Sequence, residues 1–496
     1  MATHLQGTQP IVPSTVHPLA GSLRKVEPKR LSLSLLIALV VGSMIGSGIF
    51  SLPQNMAVSA GAGAILIGWL ITGVGMLSLA LVYQTLSNRQ AELDNGVFAY
   101  ARALGGEFLG FNSAWGYWIS AWIGNVSYLV ILFAALSYFF PLFGEGNNKA
   151  AIAGASVVLW SLHWMILRGV HTAARANALT TLAKIVPLLL FIGLVIAAFN
   201  RETFSVDFWG APALGSTLDQ VKSTMLVTVW VFIGIEGANV FSARAAKRID
   251  VGRATVIGFI ITLLLLIAVS LLSLGILQQP ELAALKNPSM AGVLQAAAGQ
   301  WGAVLISLGL IISVGGALLA WTLLAAESVL TPARETVMPG VLAVENTRGV
   351  PANALWITNG CIQLFLLLTL YSSASYLALI SLATSMILLP YLFSGLYALK
   401  LTCQGQTYAG HKILQLRDMA VASVATLYCL WLLYAAGPKY MLLSALLYAP
   451  GSLIYLGTMK ARLGQPLSGP ETVLLIIIWT AATFAGRMLW TGELTL

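Results

Sequence analysis

Charge is scarce in this 496-residue chain, where Asp, Glu, Lys and Arg make up only 9% of the residues and hydrophobic residues 58%. A soluble domain needs far more charge on its surface, so a soluble enzyme or effector is excluded and a polytopic membrane protein is indicated. Cysteine is equally sparse. Cys361, Cys403 and Cys429 stand far apart without paired or metal-ligand spacing, which points to neither a disulfide framework nor a zinc site. Residues 1–30 are polar and Pro-rich and lack the apolar core and small-residue cleavage site of a secretory signal, so they read as a disordered cytoplasmic tail. Mid-span histidines and paired carboxylates are also missing, and His163 is a lone residue near the end of a span; a membrane-embedded enzyme is disfavoured.

What is abundant is apolar sequence in long runs. Windows of about 20 residues, enough to cross a hydrocarbon core as helix, fall near 33–57, 62–86, 108–140, 150–167, 176–199, 221–243, 254–277, 301–328, 353–371, 374–399, 418–436, 439–459 and 471–490. The intervening loops alternate in charge. Of the 26 Lys and Arg, nineteen fall on one side and six on the other, with Lys184 inside a span. This asymmetry, which also accounts for the net charge of +9, places the N-terminus in the cytoplasm and needs no nucleic-acid partner. Thirteen crossings would leave the C-terminus outside.

The first window carries an anomaly. The stretch LVVGSMIGSGIF, Leu39 to Phe50, gathers three glycines and two serines in seven positions. One reading is a small-xxx-small packing face from Gly42 to Gly46; the other is a discontinuous helix whose freed backbone groups line a site near the bilayer midplane. The sixth window bears on the choice, because GSGIF at 46–50 aligns with GANVF at 237–241, five spans later. Five is odd, so the first and sixth spans enter from opposite faces, and two five-span units would form an inverted repeat, about 31–200 and 220–400, within a core of 31–400. Residues 414–492 would add further transmembrane helices.

Intramembrane charge falls at the same places. Of seventeen Asp and Glu, only Glu236 is clearly mid-span, beside the second break, and Glu327 lies nearer the end of the eighth span. A carboxylate there costs roughly 2.5–3.5 kcal/mol even on insertion scales. It either satisfies freed N–H groups or couples a substrate or proton. Lys184 either snorkels to the interface or holds its ammonium against unwound carbonyls of span one, where a sodium-coupled relative would place a cation.

Four segments, GSMIGSGIF, GYWISAWIGN, WVFIGIEGANVF and GGALLAWTLL, resemble the amino acid, polyamine and organocation (APC) transporters, specifically the basic amino acid antiporters, and most of all arginine/ornithine antiporters and lysine permeases. The resemblance implies an all-α, leucine-transporter-like 5+5 inverted-repeat fold with two or three additional C-terminal helices. It implies a secondary transporter, not an enzyme, exchanging cationic amino acids across a bacterial inner membrane, with arginine/ornithine antiport first and a proton-coupled lysine permease as the alternative. No cofactor or metal is called for. The partners are the amino acids and the bilayer, and a homodimer is left open. By the same resemblance, Gly46, Ser47 and Gly48 offer N–H groups to the substrate carboxylate, and carbonyls near Met44 and Ile233 take the α-ammonium. Trp230 and Trp321 stack on the cationic side chain, Asn125 meets its distal end, Glu236 is the coupling carboxylate and Tyr117 a gate. Ser43, Ala121 and Tyr128 depart from the arginine/agmatine pattern and argue against agmatine.

Overall fold

The computed structural model describes residues 32–90, 92–93, 96–169, 171–235, 248–372, 374–463 and 467–495, so the N-terminal tail, GANVF and Glu236 lie outside the described residues. Within them the regular elements are helices, and each apolar window coincides with one as far as it is described. The first window is split into α1 (Leu33–Met44) and α2 (Gly48–Ala57), joined by Ile45, Gly46 and Ser47. There follow α3 (Ala62–Arg89), the short α4 (Gly96–Gly105), α5 (Glu107–Leu136), α6 (Lys149–Leu167) and α7 (His171–Ala198). After the short α8 (Arg201–Ser205), the sixth window opens as α9 (Thr217–Trp230) and gives way at once to turns over 231–235. The order continues with α10 (Arg248–Ser273), the short α11 (Gln279–Ala283) and α12 (Ser289–Ala298), α13 (Gln300–Arg334), α14 (Ala352–Ser372), α15 (Tyr376–Gln404), α16 (Lys412–Leu463) and α17 (Gly469–Thr491).

Nine helices among the described residues are long and apolar enough to cross a membrane. One of them, α16, supplies two windows, because Gly437 takes φ 71°, a conformation that favours glycine, and Pro438 follows it. Packing fixes the consequence. In the first half Asp418 reaches Arg89 at the end of α3 and Tyr428 lies against Gly75 near its middle; in the second, Tyr448 lies against Gly116 and Tyr455 meets Phe108 edge to face near the start of α5. Since α3 ends and α5 begins on the same side, the two halves of α16 run antiparallel.

Several helices open on an ordinary side-chain cap: Asn148 accepts from Ala151 N–H ahead of α6, Ser216 from Asp219 N–H ahead of α9, and Ser375 from Ala378 N–H ahead of α15. The centre of the molecule is α5, packed between α13 and α15. Its apolar window is 94% buried, against 11% for α17, which packs chiefly on α16 at the periphery.

Candidate functional site

The break in the first window presents two opposite poles to the interior. A helix leaves its last carbonyls and first N–H groups without intrahelical partners, and the aligned peptides make the one end negative and the other positive. At the end of α1, the carbonyls of Gly42 and Ile45 accept from the Lys184 ammonium at 2.6 and 2.5 Å. Lys184 is buried and has no carboxylate partner among the described residues, so it does not snorkel; these two carbonyls hold its charge. At the start of α2, the N–H groups of Gly46 and Ser47 find no acceptor among the described residues. One pole is thus filled by a cation of the protein, and the other is open to an anion.

Beside the open pole lies a small, partly open cavity. Met44, Gly46 and Gly48 line it from the break, Ser120, Ala121, Gly124 and Tyr128 from α5, Trp230, Val231 and Ile233 from α9 and the turns after it, and Trp321 from α13. Two of its aromatic members are in contact, with the Tyr128 and Trp230 rings 5.9 Å apart. Glycine is required at the close approaches. A Cβ on Gly48 would stand 2.7 Å from Val231 and 2.9 Å from Trp230, and one on Gly46 would stand 3.0 Å from the Tyr128 hydroxyl.

Of the residues singled out in the sequence, Met44, Gly46, Gly48, Trp230, Ile233 and Trp321 come together on this wall. Ser47 sits just behind it, with its hydroxyl 3.0 Å from that of Tyr376 on α15. Asn125 and Tyr117 do not reach the wall. Asn125 is fully buried behind it, donating to Thr322 at 3.4 Å, with its carbonyl oxygen unpaired among the described residues. The Ser43 side chain and Glu236 fall outside what is described, and Glu327 makes no ion pair with Lys184.

Sequence reasoning left out Ser120, Gly124, Val231 and Tyr376, and it noticed Tyr128 only as a departure. The signal on α5 was present. Tyr117, Ser120, Ala121, Gly124 and Tyr128 follow helical spacing, and three small residues in a helix of large ones cut a notch in its face. Tyr376 left no such trace, because its contact with Ser47 spans 329 positions.

Comparison with known proteins gives this geometry a context. A family model described as amino acid permease matches residues 31–459. The chain is 55% identical over 477 residues, 94% of its length and 99% of the other, to an arginine/ornithine antiporter of Pseudomonas aeruginosa. It is 47% identical to a putative arginine/ornithine antiporter of Escherichia coli, over 93% of this chain and 99% of that one. To an L-lysine transport protein of Corynebacterium glutamicum it is 42% identical, over 96% and 99%.

Proposed function

The chain belongs to the amino acid permease family, and from that membership we propose that it exchanges arginine for ornithine through the cavity at the break between α1 and α2. It is a multi-pass membrane transporter and not an enzyme. The observation that carries the reading is the pairing of free N–H donors on Gly46, which lines the cavity, and on Ser47 just behind it, with the indoles of Trp230 and Trp321 on the same wall. The donors suit a carboxylate, and the indole faces suit a cationic side chain, each such contact gaining roughly 0.5–2 kcal/mol. An amino acid that is cationic at its far end matches both.

Exchange follows from the same groups. An empty site leaves buried donors unpaired, at roughly 1–3 kcal/mol each, which penalises the return of the unloaded carrier. Arginine and ornithine carry equal charge, so the cycle is electrically silent. Lys184, fixed on the Gly42 and Ile45 carbonyls, supplies a permanent positive charge at the negative end of α1, where a coupling ion would otherwise be needed.

The break after α1 and the end of α9 in turns after Trp230, each in the opening span of a run of five, support two inverted five-span units with α16 and α17 appended. The charge asymmetry of the loops supports a bacterial inner membrane with the N-terminus in the cytoplasm; thirteen crossings then put the C-terminus outside, and a reporter fused at Leu496 that signals from the cytoplasm would overturn that placement. The test of function is efflux of labelled arginine from proteoliposomes, expected only when ornithine or arginine is supplied outside. Likeness to the lysine transport protein keeps a proton-coupled lysine permease as the second reading, with Glu236 taking the proton. Arginine efflux into buffer free of amino acids would favour it.

A further inference from the structure

Two phenols stand beside the start of α2, and their hydroxyls differ in how they are occupied. Tyr376, on α15, is committed: its hydroxyl lies 3.0 Å from that of Ser47 and also meets Ser51 and the Trp230 indole. Tyr128, on α5, is its neighbour. Its ring is buried and packed on Trp230 with the centroids 5.9 Å apart, yet its hydroxyl makes no hydrogen bond among the described residues. Tyr128 lines the cavity, and its hydroxyl stands 3.0 Å from the point that a Cβ on Gly46 would occupy. A phenolic hydroxyl and the free N–H groups of Gly46 and Ser47 thus share one end of the site. The Asn125 carbonyl oxygen, also unpaired, is instead sealed behind the wall.

We propose that Tyr128 is a specificity-determining residue: its hydroxyl donates to the substrate carboxylate, and the site thereby rejects the decarboxylated amines of its own substrates. This rests on the placement of the substrate carboxylate given under Proposed function. A phenol at neutral pH carries a proton to donate, and no acceptor among the described residues takes it. The amine left by decarboxylation keeps both the α-nitrogen and the distal cation, so it meets the indoles and carbonyls as the amino acid does. It brings no acceptor to Gly46, Ser47 and Tyr128. Three donors then stay unpaired beside it, and a site built around a polar group rejects the analogue lacking that group far more strongly than an apolar pocket rejects a missing methylene. The two N–H groups belong to the backbone, which any residue supplies. The third donor depends on one side chain, so that part of the discrimination is set by the residue at position 128.

The test compares the KM for labelled arginine with the inhibition constant of agmatine, its decarboxylated amine, in proteoliposomes holding wild type, Y128F or S120A. Phenylalanine keeps the ring against Trp230 and removes only the hydroxyl. Y128F is expected to raise the KM for arginine about tenfold at an unchanged maximal rate, the worth of one hydrogen bond to a charged group. The inhibition constant of agmatine should stay within about twofold of wild type. S120A deletes the hydroxyl on the cavity wall about two turns earlier on α5, and should leave the ratio of the two constants within about twofold of wild type. The proposal is overturned by an unchanged KM for arginine in Y128F, by an equal effect of Y128F on agmatine, as a contact with the α-ammonium or a loss of packing would give, or by the same change of ratio in S120A. Exchange of neutral amino acids in preference to cationic ones would overturn the substrate reading instead, and the comparison is then made between that amino acid and its own decarboxylated amine.

Discussion

Lys184 and Gly48 have the least latitude at the residue scale. The Lys184 ammonium neutralises two orphan carbonyls that nothing else among the described residues satisfies, and a methionine of similar length would leave both unpaired. K184M is expected to reach the membrane in normal amount but to transport at least roughly tenfold more slowly, a loss that follows from hydrogen bonds to a charged group; wild-type turnover would end this account. At Gly48 any side chain must enter Val231 and Trp230, so G48L is expected to abolish uptake of every substrate alike. Tyr128 sits on the cavity wall beside both Gly46 and Trp230, so shortening its side chain enlarges the cavity. Y128L should favour arginine over the shorter ornithine by about tenfold relative to wild type in a competition assay, the scale of discrimination an apolar pocket achieves. Glycines, indoles and the lone lysine were legible in the sequence because each is anomalous inside an apolar run. Asn125 stood out for the same reason, as an amide in a membrane span, and its amide group donates to Thr322.

At the scale of elements, the windows were legible because crossing a bilayer imposes both a length and a composition. The short helices were not. The residues of α4, α11 and α12 are too few to cross, and they form helix only through tertiary partners, as when Ser289 at the start of α12 accepts from Gln54 N–H on α2. Connections between elements were equally hidden, and one governs the cation-rich end of the molecule. Arg89, ending α3, reaches the buried Asp418 of α16 at 3.4 Å, donates to the Thr407 carbonyl at 2.8 Å and lies 3.5 Å over the Tyr408 ring. Tyr408 in turn donates to Asp418 at 3.1 Å, and Arg417 donates to it at 2.8 Å. Burial, aided by the Asp418 charge, pushes the Tyr408 phenol up to about 12, so it remains a donor at neutral pH. D418N removes the charge that three donors share, and the unfolding midpoint in detergent should fall by several degrees, for a loss of about 1–3 kcal/mol. A variant that melts with wild type would show that the α3–α16 junction contributes nothing to stability.

Across the whole molecule, the proposed organisation is an antisymmetry between two five-span units. The first span breaks after Met44 and α9 gives way to turns after Trp230, and the proposed orientation of both rests on loop charge. That proposal rests on 26 cations and two glycine clusters, because membrane topology is decided by short-range chemistry at each crossing. What could not be read is which surfaces meet, since packing among apolar helices has no compositional signature beyond small residues. The layering from a central α5 to a peripheral α17 belongs to that hidden class. It has a consequence for the order in which the protein is made. The family model ends at residue 459, before α17, which rests chiefly on α16 and whose Trp479 indole donates to Ser452. Synthesis is vectorial, so every wall of the cavity has left the ribosome before the last crossing emerges, and the transport machinery can close without waiting for it. A chain stopped after Leu463 should therefore still insert and exchange its substrates, giving up yield and lifetime in the membrane while keeping KM.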